Sequence, residues 1–254
     1  MRRFFALIVG VAILLTACNN NDDPGTIVQD PGNLNLVFEN TVNGTSLDMA
    51  PTTYTNSSDE TYTVNELKYI ISNITLIKTD NTEYIYPVED SYFLINEDGS
   101  KTANLSNIPA DTYKGIKFGF GVDPTKYPIE SGTLNFIPLA EEAGMLWTWS
   151  AGYKFLKFEG GYANATDPTN ETPFLYHVGS HGANLDNYKE ITLMLNEFGI
   201  NSENTASKTI QFDVAKIFDS VHTLSLEEKN EIMVDPVNAP KIAENTSTAF
   251  SISE

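Results

Sequence analysis

The residues in this chain best suited to metal or redox chemistry are few. Only three histidines occur, His177, His181 and His222, and only two tryptophans, Trp147 and Trp149. A neutral imidazole is the commonest protein ligand for transition metals, and a pair of electron-rich indoles beside one suits redox chemistry or a soft-metal site. His177 and His181 fall in the run FLYHVGSHG. On a straight strand they share a face but lie roughly 13 Å apart at about 3.3 Å per residue, too far for one ion to reach both. Unless the flanking glycines bend the chain, one histidine at most joins a site completed by groups from other strands. A histidine in a strand also has a plain structural use. Trp147 and Trp149 stand two apart in GMLWTWSAGYKFLKFEG. On a strand they share one face about 7 Å apart, and there they equally suit the filling of a β-sandwich core. His222 lies apart from these segments and reads as a surface residue.

Other chemistries lack their residues. The chain has no G-x-S-x-G, no phosphate-binding Walker loop, no G-x-G-x-x-G and no H-E-x-x-H, so the nucleophile-elbow, P-loop, dinucleotide and zinc-protease templates all fail. Carboxylates are plentiful, but nothing shows which two would face each other, so a glycosidase reading has no support. An enzyme acting alone is not expected. With 34 acidic and 15 basic residues in 254, the formal charge is −19. That surface repels phosphate backbones, which excludes nucleic-acid binding. It serves solubility and could concentrate cations.

The one cysteine, Cys18, excludes an internal disulfide framework and any cysteine-based zinc cluster. Its setting gives it another role. Arg2 and Arg3 precede an apolar run from Phe4 to Leu15, which ends in Leu15-Thr16-Ala17-Cys18. The run is too short to span a bilayer as a stable helix, but it has the form of a secretory signal. Small residues before a cysteine are what a lipoprotein signal peptidase needs. Residues 1–17 are therefore read as a lipoprotein signal peptide, with Cys18 as the lipidated residue. Residues 18–32, polar and broken by Pro24, Gly25, Pro31 and Gly32, are read as a flexible tether. The expected location is the cell envelope, on an outer membrane held through the lipid anchor, at its periplasmic face or the cell surface. Asp22 and Asp23 resemble the acidic export signal of Bacteroidetes surface lipoproteins.

From residue 33 to 254 the chain reads as one domain of short β-rich runs broken by turns. Leu34, Leu36 and Phe38 alternate with Asn35, Val37 and Glu39, and Asn43-Gly44 supplies a hairpin turn. Further strand-like runs are 69–77, 84–86, 92–95, 116–122, 146–158, 174–178, 191–195 and 209–214, rich in β-branched and aromatic residues. Helical character is confined to Val214–Ser220 and to Ser225–Met233, where Ser225 and Glu228 have capping-box spacing; Val64–Lys68 could form one helical turn. The expected fold is all-β, an antiparallel, jelly-roll-like β-sandwich with one or two short helices near the C-terminus.

Several of these segments also carry a family resemblance. GMLWTWSAGYKFLKFEG followed by FLYHVG resembles the signature of the MbnP-type copper-binding protein family. LNLVFENTVNGTSL at 34–47, KYIISNITL at 68–76, YFLIN at 92–96 and IPADTYKGIKFGFGVD at 108–123 match the family in the same order. The resemblance spans residues 33–200. It implies a secreted or lipid-anchored β-sandwich. It also implies copper bound by histidine together with a kynurenine, made from a tryptophan by a di-haem partner of the cytochrome c peroxidase type. Carried onto this chain, His177 is the matching ligand and either Trp147 or Trp149 is the residue to be modified. One departure stands out. Where the family pattern often reads F-E-H after its first strand, this chain has Phe38-Glu39-Asn40. Asn40 offers a neutral amide oxygen, which copper accepts less readily than imidazole nitrogen or sulfur. His181, Met145 and Met49 are the available substitutes. Pro124–Ala143 also departs from the family, lacking its Gly-rich approach to the G-M block.

Two functions follow from these residues. One is a copper-binding lipoprotein. The other is a surface β-sandwich for binding or adhesion that has kept the fold and lost the metal.

Overall fold

A computed structural model describes residues 30–123, 137–147, 152–164, 166–180 and 185–253. In chain order the elements are β1 (Gly32–Val42), β2 (Thr45–Ser46), β3 (Thr53–Thr55), β4 (Thr61–Lys78), β5 (Glu83–Ile85), β6 (Tyr92–Asn96), β7 (Thr102–Ile108) and β8 (Asp111–Phe120). There follow α1 (Ile137–Glu142), β9 (Lys154–Ala163), β10 (Thr172–Gly179), β11 (Lys189–Ile200), β12 (Thr205–Asp213), β13 (Glu231–Ile232), α2 (Asn238–Ser247) and β14 (Phe250–Ile252). Residues 1–29, with Cys18 and most of the expected tether, lie outside the described residues; the tether reading ends too late, since Gly32 already pairs as the first residue of β1.

The strands form two sheets. The smaller runs β14-β12-β1-β2, with β7 also on β1; the larger runs β11-β8-β4-β9-β10-β13, with β3, β5 and β6 also on β4. The pairings are antiparallel except two. β1 lies parallel to β12 over Asn33–Thr41 and 205–213, and β10 lies parallel to β13. The β-sandwich is as the alternation in the sequence implies.

Leu34, Leu36 and Phe38 leave no surface exposed, and Asn40 follows them onto the same inner face. Opposite them on β4 stands Tyr69. Its ring lies 6.1 Å from Phe38 and 4.8 Å from Phe212 of the smaller sheet, and Phe250 stacks on Phe212 at 4.7 Å. These offset and edge-on contacts are the favoured aromatic geometries. They fix which face of each sheet is interior.

The helices differ from the expected ones. Val214–Ile217 is a single 3-10 turn, opened by Asp213 accepting from the Ala215 N–H. Ser225–Met233 is not a helix. The buried Glu60 carboxylate accepts from the N–H groups of Leu226 and Glu227 at 2.8 Å each, and from Ser225 Oγ at 2.6 Å, which holds that segment as turns. Glu231–Ile232 then joins β10 as β13. Val64–Lys68 lies inside β4, where the sheet ladder overrides any local helical tendency. The C-terminal helix is α2, begun by Asp235, whose carboxylate accepts from the Val237 and Asn238 N–H groups at 2.9 and 2.8 Å.

Candidate metal centre

The run 146–158 is not one strand. Met145–Trp147 forms an arm that folds back on the start of β9. Leu146 bridges Tyr153, the Trp147 N–H reaches the Gly152 carbonyl at 3.2 Å, and the Lys154 N–H reaches the Met145 carbonyl at 2.7 Å. Gly152 has φ +124, a conformation that glycine adopts without steric cost. The arm starts just past α1, in the turn where Lys154 Nζ donates to the Gly144 carbonyl at 2.8 Å and Lys68 Nζ to the Ala143 carbonyl at 3.4 Å. Cationic side chains there complement the unpaired carbonyls of a helix end.

This arm delivers Trp147 to His177. The ring centroids are 6.2 Å apart, with planes at 58°. Both residues are buried, 5% and 7% exposed. Gly179 makes room for the approach. A Cβ at that position would stand 2.2 Å from the Tyr153 carbonyl oxygen and 3.2 Å from Trp147 Nε1. Lys154 Nζ lies 5.3 Å from the Trp147 ring centroid, a cation–π contact.

Strand register supplies the rest of the site. Lys68 of β4 pairs with Lys157 of β9, and Lys157 with His177 of β10. Side chains two apart on a strand share a face, so Glu66, Lys68, Lys157, Glu159 and His177 all project from the outer face of the larger sheet. They form a chain of contacts: Lys68 to Glu66, Glu66 to Lys157 at 2.5 Å, Lys157 to Glu159 at 3.2 Å, and Glu159 Oε1 to His177 Nε2 at 2.7 Å.

The electrostatics follow from burial and order along this chain. Burial pushes the Glu66 carboxyl up, but the hydrogen bonds from Lys157 and Lys68 outweigh it and hold the group below its ordinary range. Burial pulls Lys157 down, yet its bonds to Glu66 and Glu159 leave it raised. Lys154 is lowered by burial and by the neighbouring Lys157 charge. Burial lowers His177 as well; the Glu159 bond opposes this without overcoming it, and Lys154 adds to the lowering. His177 is therefore a neutral imidazole at neutral pH, the form that ligates metals.

The other expected residues fall elsewhere. Tyr69 pairs with Leu156, and Leu156 with Val178, all on the inner face. Asn40 is bound to that inner set: it accepts from Tyr69 Oη at 2.8 Å and donates to Glu97 Oε2 at 2.6 Å. The thickness of the sheet thus separates Asn40 from His177, and its amide is already engaged, so the two do not share a site. Met145 is wholly buried beside the arm's backbone bonds, and Met49 lies between β2 and β3. Trp149 and His181 lie outside the described residues. Among the described residues, no group of three or more His, Cys, Asp or Glu side chains comes together to hold an ion.

Glu159, Glu66, Lys154 and Lys157 were not among the expected site residues. Their signal in the sequence is the i, i+2 spacing of Lys157 with Glu159 and of Glu66 with Lys68, which places each pair on one strand face. That this face is the one carrying His177 depends on register, which spacing alone does not give.

As a copper site the described residues fit in part. His177 offers one imidazole whose second ring nitrogen is hydrogen-bonded to a carboxylate, the usual orienting partner of a metal-binding histidine. Trp147 is close enough to be the adjoining group, but an intact indole nitrogen is a donor only. It would need to be opened before it could ligate.

Comparison with known proteins bears on the whole arrangement. No curated protein matches the chain. Among solved structures it is similar to MbnP from Methylosinus trichosporium, with a TM-score of 0.53 at 12% identity over 82% of each chain, a likeness of fold. The family model MbnP matches residues 31–234, which takes in every strand from β1 through β13 and both rings of the Trp147–His177 pair. The chain belongs to the MbnP family.

Proposed function

We propose that this protein is a copper-binding protein of the cell envelope, held at the outer membrane by lipid on Cys18. In this reading His177 supplies an imidazole nitrogen to copper. A neighbouring tryptophan, Trp147 or Trp149, is oxidised to kynurenine by a di-haem cytochrome c peroxidase-like partner and gains an aryl amine and a ketone as potential donors. When bound, copper would bring a redox-active soft cation to a buried pocket. The chain's own residues hold the imidazole neutral, orient it and cover it. The single observation that carries the reading is the Trp147 indole 6.2 Å from a neutral His177 whose Nε2 is tied to Glu159. The acidic surface favours the approach of a cation.

A second reading, a lipid-tethered β-sandwich module that no longer binds metal, is favoured by the positive charges of Lys68, Lys154 and Lys157 around His177. Loading the purified protein with copper and counting bound metal by mass spectrometry separates the two. The copper reading expects stoichiometric copper on the wild type and its loss in His177→Ala. Equal, negligible binding by both retires it and leaves the metal-free module.

A further inference from the structure

We infer that Glu159 is the positioning residue of this site: it locks His177 as the Nε2–H tautomer, so that Nδ1 carries the lone pair.

The argument starts from the oxygen. Glu159 Oε1 stands 2.7 Å from His177 Nε2 and 3.2 Å from Lys157 Nζ. An ammonium has only hydrogens to offer. With Lys157 presenting a hydrogen to that oxygen, and the ring nitrogen at hydrogen-bonding distance on its other side, the proton between Glu159 and His177 belongs to the ring. A neutral imidazole carries one N–H. If Nε2 holds it, Nδ1 is bare.

The position of Glu159 is itself fixed. Its neighbour on the same strand face, Lys157, is held at its far side by Glu66, which is gripped in turn by Lys68. Glu66 and Glu159 are register partners across β4 and β9. The carboxylate is thus anchored through two strands before it meets the ring. His177 is 7% exposed, and burial disfavours the charged form of an imidazole, as the tautomer requires. On the other side, Trp147 packs against the imidazole at 6.2 Å, so the ring has a wall as well as a tether.

The tautomer is a property of the protein without metal. Only the use of Nδ1 for copper rests on the proposed function. The two are separable by experiment. Nitrogen NMR of the full chain, labelled with ¹⁵N-histidine and free of metal at neutral pH, reads the protonation of each ring nitrogen directly. With three histidines in the chain, His177 is assigned by elimination from His181→Gln and His222→Gln. The expected spectrum shows a pyrrole-type Nε2 and a pyridine-type Nδ1 for His177. A protonated Nδ1, or a cationic ring, overturns the inference. Glu159→Gln, nearly isosteric and able either to accept or to donate, should convert the single tautomer into a mixture. An unchanged spectrum in that variant overturns the role of Glu159 even if the wild type shows the expected tautomer. Where wild type binds copper, Glu159→Gln should bind it about 10- to 100-fold more weakly, the usual effect of removing an orienting partner from a metal-binding histidine. Undiminished binding in that variant counts against the inference. Failure of the wild type to bind copper sinks the copper reading and leaves the tautomer result standing.

Discussion

Trp147 and His177 come from different hairpins, yet their rings face each other across the outer surface of the larger sheet with centroids 6.2 Å apart. Nothing local to either residue produces this. Backbone bonds between Trp147 and Gly152 and between Lys154 and Met145 hold the arm along the start of β9, the β9–β10 register brings His177 level with Lys157, and Gly179, with no Cβ, lets the Tyr153 carbonyl and the indole approach.

That proximity makes Trp147 the candidate for modification. If it is converted to kynurenine, the new group has an imidazole beside it. Protein purified from its native host should then be heavier by about 4 Da than the same chain, processed and lipidated alike, with its tryptophan intact, one carbon lost and one oxygen gained. Trp147→Phe should abolish the increment and Trp149→Phe should keep it. The opposite pattern in intact-mass spectra assigns the modification to Trp149.

Gly179→Ala tests the gap. The added methyl would meet the Tyr153 carbonyl oxygen, a backbone atom that cannot swing aside. Forcing a group into a packed site costs about 1–3 kcal/mol, and the cheapest relief is to lift the arm. In a Trp149→Phe background, where Trp147 is the remaining emitter, fluorescence should shift to the red and quencher access should rise, with a lower Tm. Unaltered emission would mean that the arm is held independently of this contact.

Asn40→His would restore the residue that the family pattern often has there. Position 40 faces inward, bound to Tyr69 and Glu97, on the far side of the sheet from His177. The substitution should leave copper binding unchanged and cost about 1–3 kcal/mol through the disrupted buried hydrogen bonds, read by urea unfolding. Tighter copper binding in this variant would place position 40 at the metal after all.

Glu60 gives the pH prediction. It is 2% exposed. Burial drives its carboxyl up, but four hydrogen bonds, from Asn56, Ser225, Glu227 and Leu226, win and hold it below its ordinary value of 4.5. A carboxyl lowered in the folded state stabilises the fold fully above its unfolded value, and that stability is lost as pH falls through the folded one. Wild type should therefore lose stability more steeply than Glu60→Gln between about pH 5 and pH 3. At neutral pH, Glu60→Ala should lose about 3 kcal/mol, because two backbone N–H groups and two side-chain donors are left behind. Parallel pH profiles for wild type and Glu60→Gln would refute the assignment.

Much of the sandwich was legible because alternation is written into β1 and β12, where Leu34, Leu36 and Phe38, and Ile210 and Phe212, share one face and mostly polar residues the other. Where the sequence misleads, a distant group decides the local structure. Ser225–Met233 has helical spacing, but a carboxylate more than 160 residues upstream in the chain takes its N–H groups. Val64–Lys68 has five residues that tolerate either state, and pairing with β9 settles them as strand. At the site, the residue types of Trp147 and His177 point to chemistry without help from the fold. Glu159, Lys157 and Glu66 do not, since charged residues abound in this chain and only cross-strand register singles these out.

The parallel pairing of β1 with β12 has a consequence for how the protein comes into being. β1 emerges first, and the strand that covers its inner edge lies in the last fifty residues. Contacts this remote in sequence are slow to form. During synthesis β2 and β7 can cover one edge of the opening strand early, but its other edge must wait for almost the entire polypeptide to follow. The smaller sheet thus closes late, and a chain cut short before Thr205 would leave the β12-facing edge of β1 open and adhesive.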